Sequence, residues 1–263
     1  MKNAELAAEW IVSKLGAACK RVRWFGLACY CPICGNRVRG FVEAGQPPHR
    51  QSSCPVCGSL ERHRLAWAFM QQKGYLLGAS GKALLHMAPD ARMAAKLREL
   101  GKVDLTLCPA LAPDCRKIQH DDNSFDLIYC SHVLEHMAYD SKIVREMFRV
   151  LKPGAAAIVQ VPVDGKQTVE DPLVATPEGR AKRFGRPDQY RRYGSDFAFR
   201  LQAAGFCVSV VRAADVMAAA DLARLGVPAD GQLFYCEKRY EIRCPPTSRL
   251  VLSGIACTGM TRV

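Results

Sequence analysis

The 263-residue sequence has no apolar run approaching the roughly 20 residues that a helix needs to cross a bilayer. Its first residues, MKNAELAAEWIVSKLG, form an amphipathic pattern with two glutamates, which is not typical of an export signal. We therefore expect a cytoplasmic protein. In a long chain without an export signal, 13 cysteines do not indicate a disulfide scaffold. Metal ligation or free thiols are expected instead.

Acidic residues are scarce relative to basic ones: 25 Asp and Glu against 37 Lys and Arg, a formal net charge of +12. Residues 14–64 hold nine basic residues against two acidic ones, and residues 176–200 hold seven against three. Such an excess attracts polyanions, for example nucleic acid or an anionic lipid surface. For either stretch taken alone, an ordinary solvated basic face is the more expected explanation. With 49% hydrophobic and 24% charged residues, disorder and coiled coil are excluded as the main character.

The composition changes along the chain and divides it into four expected parts. Residues 1–25 have the Ala and Leu content of a helix, with a pattern that fails near residues 19–23. Residues 26–66 are rich in Cys, Pro, Gly and Arg, which is typical of a small metal-binding module. In residues 67–240 short apolar runs alternate with helical segments, which predicts an α/β domain with a mostly parallel sheet. Residues 241–263 have no clear period and are expected to be an appendage.

The strongest local pattern is 31-CPICG-35 followed by 54-CPVCG-58. Tetrahedral zinc is held by four thiolates, and each C-x-x-C turn directs two sulfurs at one ion, with a glycine that permits the turn. The predicted ligands are Cys31, Cys34, Cys54 and Cys57; the nearby Cys29, His49 and His63 are alternatives. Redox-active or unpaired thiols remain open. A site filled by four cysteines leaves no position for water, so the expected zinc is structural.

A segment of the second half resembles the core of the class I S-adenosylmethionine-dependent methyltransferases. It runs DCRKIQHDDNSFDLIYCSHVLEHMAYDSKIVREMFRVLKPGAAAIVQVP from residue 114 to 162 and contains D-x-S-F-D, H-x-L-E-H and R-V-L-K-P-G in the family's order. Residues 54–64 and 176–208 resemble a bacterial subgroup that carries an N-terminal zinc module. The resemblance implies a Rossmann-like sheet of seven mostly parallel strands with helices on both faces. It also implies an S-adenosylmethionine-dependent activity.

The resemblance assigns cofactor-binding residues to the carboxyl ends of the strands. Asp104, in the second strand, would bind the ribose, and Asp114 would lie near the adenine. The family's glycine-rich first loop is replaced here by 84-LLHMAPDAR-92, in which proline removes an N–H donor. In this loop Ala88 and Asp90 would line the methionine end of the cofactor, with His86 beside it. Ser131 would follow the fourth strand, beside the reacting methyl group.

The expected catalytic residues are His132, as a base for a hydroxyl acceptor, and Tyr193, which with its neighbouring arginines would orient an anionic or aromatic substrate. A purely structural role for His132 is equally compatible with the sequence. The run 132-HVLEH-136 also fits the zinc-protease pattern H-x-x-E-H. That pattern needs one continuous helix, whereas a β run ends at Cys130, so we expect no protease.

Three functions fit the sequence. The first is methylation of a small-molecule, glycan or lipid-linked acceptor. The second is methylation of RNA, with the basic module binding phosphates. The third is a binding or scaffold protein that keeps the fold without catalysis, which the missing glycines favour. The sequence does not specify the oligomeric state.

Overall fold

The computed structural model describes residues 18–45, 49–76, 81–109 and 111–239. The predicted helix over the first residues and the predicted appendage at 241–263 therefore lie largely outside the described residues. The described part begins with a helical segment, residues 18–24, which continues through the positions where the helical pattern fails and leads directly into the first strand. No described helix is long and apolar enough to span a membrane.

Two small antiparallel hairpins carry the cysteine motifs. β1 pairs with β2, and β3 pairs with β4. Their bounds are Phe25–Cys31 for β1, Asn36–Val38 for β2, Val42–Ala44 for β3 and His49–Ser53 for β4. The first C-x-x-C turn begins at Cys31, the last residue of β1, and the second begins at Cys54, directly after β4.

The rest of the chain alternates helices and strands, as the sequence predicts. The helices are α1 (Glu61–Gln72), α2 (Ala91–Leu100), α3 (Asp140–Val150), α4 (Pro177–Phe184), α5 (Phe197–Gln202), α6 (Ala213–Val216) and α7 (Ala219–Leu225). The strands are β5 (Lys82–Met87), β6 (Val103–Cys108), β7 (Phe125–Ser131), β8 (Leu151–Gln160), β9 (Val169–Glu170), β10 (Arg191–Arg192), β11 (Cys207–Arg212) and β12 (Gln232–Glu237). A 3₁₀ turn, Leu134–His136, follows β7.

The central sheet has the order β11-β12-β8-β7-β5-β6. β5 to β8 are mutually parallel, whereas β12 runs antiparallel to both of its neighbours. The Rossmann-like α/β prediction is confirmed, but the predicted seven strands are corrected to six within the described residues. Residues 111–124, which connect β6 to β7, contain no strand, so β6 forms the edge of the sheet.

The sheet is covered on both faces. One face packs on α3 and α5, because the apolar residues Ile143, Val144 and Met147 recur on one side of α3 and are fully buried. The other face packs on α1 and α2, and the hairpins join the same core through Phe41. The cysteine module therefore shares its core with the α/β domain.

Two contacts fix the module against the sheet. Arg64, fully buried, donates to the carbonyls of Ser52 and Ser59 in the module and to those of Leu225 and Gly226 at the end of α7. A Cβ at Gly226 would lie 2.2 Å from the Phe41 ring, so only glycine permits this close approach. Arg64 is one of the nine basic residues of the stretch 14–64, but because it is buried it does not contribute to an exposed basic face.

Candidate functional site

The four predicted metal ligands come together at one point. Their Sγ atoms all lie within 4.8 Å of one another, with Cys31 3.8 Å from Cys57 and Cys34 3.9 Å from Cys54. Zinc–sulfur bonds of about 2.3 Å in a tetrahedron place the sulfurs about 3.8 Å apart, so the cluster has the dimensions of a tetrahedral thiolate site. The four residues are free cysteines. Among the described residues this is the single cluster that could hold a metal ion, and the alternatives Cys29 and His63 are not part of it.

Hydrogen bonds shape the two turns of the cluster and link its sulfurs. Gly35 N–H donates to the Cys31 carbonyl at 2.8 Å and Gly58 N–H to the Cys54 carbonyl at 2.7 Å, which closes both turns. Ser59 Oγ lies 3.1 Å from the Cys31 sulfur. Hydrogen bonds from Cys34 and the other two thiols hold the pKa of Cys31 well below its usual value, whereas hydrogen bonds with the neighbouring thiols raise the pKa of Cys54 and of Cys57. A deprotonated cysteine is the form that binds metal.

A second group of polar residues lies at the carboxyl edge of the parallel strands. In register, Met87 at the end of β5 faces Cys108 of β6 and Cys130 of β7, and Ser131 faces Gln160 at the end of β8. The loops that follow these strands therefore meet at one edge of the sheet. In open α/β sheets this edge is where ligands bind.

The first of these loops has a glycine-like backbone without a glycine. Ala88 has a φ of 42°, and its N–H donates to the Cys108 carbonyl at 2.9 Å. Two residues later, Asp90 caps α2: its Oδ1 accepts from the N–H groups of Arg92 (3.0 Å) and Met93 (3.1 Å). Burial alone would raise the pKa of Asp90, but His63, these two N–H groups and the Arg92 guanidinium together lower it. Asp90 is therefore an ionised carboxylate at neutral pH.

His86 and Ser131 lie inside this edge. His86 is 1% exposed, packs on the Tyr129 ring at 4.9 Å between centroids, and has a pKa lowered to about 4 by burial. It is therefore a neutral imidazole at pH 7. Ser131 is the last residue of β7 and points its hydroxyl into the same buried region.

His132 has a second strained backbone, with a φ of 55°. Its N–H donates to the Gln160 carbonyl at 2.8 Å, and its Nδ1 lies 3.1 Å from Glu135 Oε1. Glu135 is 1% exposed and also lies 3.9 Å from Nε2 of His136. The run HVLEH thus spans a strand end and a 3₁₀ turn rather than one helix, which is not the geometry of the zinc-protease motif.

Within the part of the chain that the structure describes, buried polar atoms without a partner lie along this edge. Within the described residues, four buried side-chain nitrogen or oxygen atoms have no hydrogen-bond partner: Arg62 Nε, His86 Nδ1, Ser131 Oγ and Glu135 Oε2. An unpaired buried polar atom costs about 1–3 kcal/mol, and folded proteins keep few of them. His86 lies in β5, Ser131 in β7, Glu135 in the 3₁₀ turn and Arg62 in the first turn of α1. The first turn of α1 contacts β8, because Gln160 Nε2 donates to the Arg62 carbonyl at 3.1 Å.

The two predicted cofactor aspartates occupy different places. Asp114 is exposed in the loop that follows β6, and its neighbour Pro113 accepts from Ala138 N–H at 2.7 Å, which places the loop at the carboxyl edge. Asp104 is the second residue of β6 and pairs with Ala83 at the opposite end of β5. Asp104 lies four residue steps before Cys108, the end of β6, which is about 13 Å along the strand. The structure does not bring Asp104 to the site.

Tyr193 pairs with Val163, just beyond the end of β8, and its side chain lies in the core. It is fully buried, its hydroxyl donates to Asp140 Oδ2 at 2.6 Å, and its ring packs on Phe197 at 4.3 Å. Burial and the neighbouring Asp140 raise the pKa of Tyr193 well above its usual value. The structure therefore gives Tyr193 an observed packing role, and its catalytic role stays a prediction. Its neighbour Arg191 is also buried and donates to the Leu134, Met137 and Ala138 carbonyls.

Three residues of the edge were not predicted from the sequence. Arg62 and His63 open α1, and Gln160 ends β8; Gln160 accepts from the Tyr129 hydroxyl at 3.3 Å. Burial, and then the Arg62 charge, lower the pKa of His63 to about 4, and its Nδ1 lies 3.8 Å from Asp90 Oδ1. The segment LERHR lies just after the second C-x-x-C turn, so its position in the sequence indicates the metal module. Only its packing shows that it borders the loop after β5.

An open cavity of about 270 Å³ adjoins the edge beside β8. Its lining includes both polar and apolar residues: Glu61, Arg62, Gln160, Asp230, Gln232, Leu65, Val161, Val163, Val227, Pro228 and Gly231. A larger cavity of about 350 Å³ lies away from the strand ends, between β1, α1 and α7.

Comparison with known proteins agrees with this geometry. Residues 73–159, a third of the chain, match the family model described as "Methyltransferase domain". The chain is 38% identical over 52 residues to the sterol 4-C-methyltransferase of Caenorhabditis elegans, a match covering 20% of this chain and 16% of the relative. It is 32% identical over 101 residues to the ubiquinone/menaquinone biosynthesis C-methyltransferase of Pasteurella multocida, covering 37% of this chain and 36% of the relative. The chain thus spans about a third or less of the length of the curated relatives it matches.

One solved structure with a low overall similarity to this chain is also a methyltransferase. The 1,6-didemethyltoxoflavin-N1-methyltransferase of Burkholderia thailandensis, determined with 1,6-didemethyltoxoflavin and S-adenosylhomocysteine, has a TM-score of 0.42 and 14% identity, covering 67% of this chain and 76% of that one. The resemblance predicted from the sequence is confirmed by the family match: residues 73–159 match the model of a methyltransferase domain.

Proposed function

We propose that this protein transfers a methyl group from S-adenosylmethionine to a small-molecule acceptor at the carboxyl edge of its sheet. The observation that carries the proposal is the gathering of four unpaired buried polar atoms at that edge, in a domain whose family uses this cofactor. A polar ligand would supply the missing partners. His86 Nδ1 and Ser131 Oγ can donate or accept, Arg62 Nε donates, and Glu135 Oε2 accepts.

The residues that would hold the cofactor are those of the β5 loop and its neighbours. The glycine-like backbone at Ala88 compensates in part for the missing glycines, because it lets the chain turn closely over the end of β5. Asp90 is ionised, so it suits a cationic group such as an ammonium, whereas the Arg62 guanidinium suits a carboxylate. Asp114, in the loop after β6, would lie at the other end of the cofactor, near its adenine. When bound, the cofactor supplies an electrophilic methyl group on a sulfonium sulfur.

The chain's own contribution to the transfer would be alignment and removal of a proton. Glu135 lies against Nδ1 of His132 and orients the imidazole, so the other ring nitrogen, Nε2, is the one that would accept the acceptor's proton. Glu135 is buried and so excludes water from this side of the ring. The 270 Å³ cavity beside Gln160 would receive the acceptor. Its size favours a small molecule or one end of a glycan or lipid-linked molecule over a macromolecular surface.

The four-cysteine cluster would hold one structural Zn²⁺. Its sulfur spacings support this assignment, and four thiolates leave no place for a catalytic water.

A binding experiment followed by an activity test examines the proposal. Calorimetry with S-adenosylmethionine and S-adenosylhomocysteine on the zinc-loaded protein should give saturable binding. Release of S-adenosylhomocysteine would then be followed with panels of hydroxyl and amine acceptors. His132→Asn is the matched variant, because asparagine tolerates the positive φ at this position but offers no base. It should lower turnover by about 10²-fold or more with unchanged cofactor affinity. No binding at millimolar cofactor would refute the enzyme and leave the scaffold alternative.

Methylation of RNA is the second candidate, and one observation favours it. Lys20, Arg21, Arg23, Arg37 and Arg39 are all exposed on the helical segment 18–24 and on β2 or just after it. Binding to a structured RNA that weakens steeply between 50 and 200 mM salt, together with methylation of that RNA, would favour this candidate over the small-molecule acceptor.

A further inference from the structure

Arg92 links the second cysteine turn to the loop after β5. It lies in the first turn of α2, and its Nε donates to the carbonyl of Cys57 at 2.5 Å. Its Nη1 donates to Asp90 Oδ2 at 3.1 Å, and its backbone N–H donates to Asp90 Oδ1 at 3.0 Å. One side chain therefore joins a predicted metal ligand to the residue that caps α2.

The cysteine turn is shaped to admit this guanidinium. Gly58 has a φ of +74°, and a Cβ at Gly58 would lie 3.0 Å from Arg92 Nη2 and 3.1 Å from its Nε. The corresponding glycine of the first turn, Gly35, has a φ of +70° and nothing within 4 Å of its would-be Cβ. The two glycines share the same backbone conformation, but only Gly58 makes room for a neighbouring side chain.

The link bears on the orientation of the Asp90 carboxylate. Both oxygens of Asp90 are engaged, Oδ1 by the Arg92 and Met93 N–H groups and Oδ2 by the Arg92 guanidinium. The N–H groups alone would cap the helix. The guanidinium also ties the carboxylate to the Cys57 carbonyl, in the second cysteine turn outside the α/β domain. That turn is rigid when the four thiolates share one ion.

We propose that Arg92 is a positioning residue through which the second cysteine turn holds Asp90, and with it the cofactor loop, in the binding-competent conformation. This inference rests on the proposed function and deepens it, because it makes cofactor affinity depend on the cysteine module. The module is then part of the machinery that binds the cofactor, in addition to any role in recognising an acceptor.

A matched pair of glycine variants tests the inference. Gly58→Ala and Gly35→Ala impose similar backbone strain on equivalent turns, but only Gly58→Ala displaces the guanidinium. With zinc content confirmed at about one per chain in both, calorimetry with S-adenosylhomocysteine should show affinity lowered on the order of fivefold for Gly58→Ala and unchanged for Gly35→Ala. Equal affinities in the two zinc-loaded variants would overturn the inference.

A second pair avoids the cysteine turns and covers the case in which Gly58→Ala loses metal. Arg92→Met keeps the aliphatic stem and removes the link; Arg98→Met removes an exposed arginine from the last turn of the same helix. Only Arg92→Met should lose affinity, again on the order of fivefold, and Arg92→Lys should recover part of it. In an Asp90→Asn background the effect of Arg92→Met should fall below about twofold, because Arg92 acts through that carboxylate. Additive losses in the double variant, or an equal loss in Arg98→Met, would contradict the inference.

The wild-type protein separates the two levels of the argument. If it binds neither S-adenosylmethionine nor S-adenosylhomocysteine at millimolar concentration, the proposed function fails and the inference fails with it. If the wild type binds but Arg92→Met and Gly58→Ala bind equally well, only the role of Arg92 is refuted.

Discussion

Replacing Ala88 by glycine should stabilise the protein, although glycine usually does the opposite. Ala88 has a φ of 42°, in the left-handed region that costs a non-glycine residue about 1–2 kcal/mol. Glycine removes that strain but adds about 0.5–1 kcal/mol of unfolded-state entropy. The Ala88 methyl also packs partly against the core, which reduces the gain further. The expected net effect of Ala88→Gly is a stabilisation of about 0.5 kcal/mol.

Ala95→Gly is the matched control, since Ala95 is exposed in the middle of α2 and has ordinary helical geometry. There glycine should cost about 1 kcal/mol. The two variants should therefore differ by about 1.5 kcal/mol with opposite signs, or roughly 3–6 °C in Tm for a protein of this size. Thermal unfolding at saturating zinc measures this difference. Destabilisation of both variants by the same amount would refute the glycine-like conformation at Ala88, and with it the explanation of how the loop functions without glycines.

Three further predictions follow from the described contacts. Cys54→Ser should lower the zinc content from about one ion per chain and unfold the module, because metal binding energy is also folding energy; Cys19→Ser, at an exposed position, should keep both. The pKa of His86 is about 4 in the folded protein against 6.5 in the unfolded chain, so the imidazole stays neutral in the fold. Above pH 6.5 this difference contributes about 3 kcal/mol to the free energy of unfolding, and the contribution is lost as the pH falls towards 4. Urea titrations between these pH values should accordingly show a shallower loss of stability for His86→Phe than for the wild type. Tyr193→Phe should cost about 1–3 kcal/mol of stability by removing the hydroxyl that donates to buried Asp140, with cofactor affinity unchanged; a selective loss of turnover would support a catalytic role for Tyr193.

Features set by local spacing were predictable from the sequence. The four cysteines converge as expected because each C-x-x-C turn needs only its own glycine to direct both sulfurs. The helix Asp140–Val150 could be predicted because its apolar positions recur with the helical period. The strand beginning at Phe125 alternates too little to be distinguished from a helix by period alone, but it is short and is preceded by the polar residues 121–124.

Features set by distant packing were not predictable in this way. Arg64 belongs to a basic run in the sequence, yet it is enclosed by carbonyls from Ser52, Ser59, Leu225 and Gly226 that lie up to 162 residues away. Tyr193 follows two arginines and resembles a substrate-binding residue, but its hydroxyl is bonded to Asp140 across the core. Burial of a polar side chain depends on such remote partners, and a single sequence does not report them.

Strand register separates the two aspartates that the family resemblance places together. A carboxylate can bind the cofactor only near the carboxyl end of its strand or in the loop beyond it, and each residue of a strand moves it by about 3.3 Å. Asp114 meets this condition, while Asp104 is paired with Ala83 at the other end of β5. Asp114→Ala should therefore weaken S-adenosylhomocysteine binding by several-fold, and Asp104→Ala should leave it unchanged. Both side chains are exposed, so neither variant should unfold the protein, and calorimetry compares them directly. Weaker binding in Asp104→Ala alone would mean that the cofactor enters from the opposite end of the sheet and that the unpaired atoms at the carboxyl edge serve another ligand.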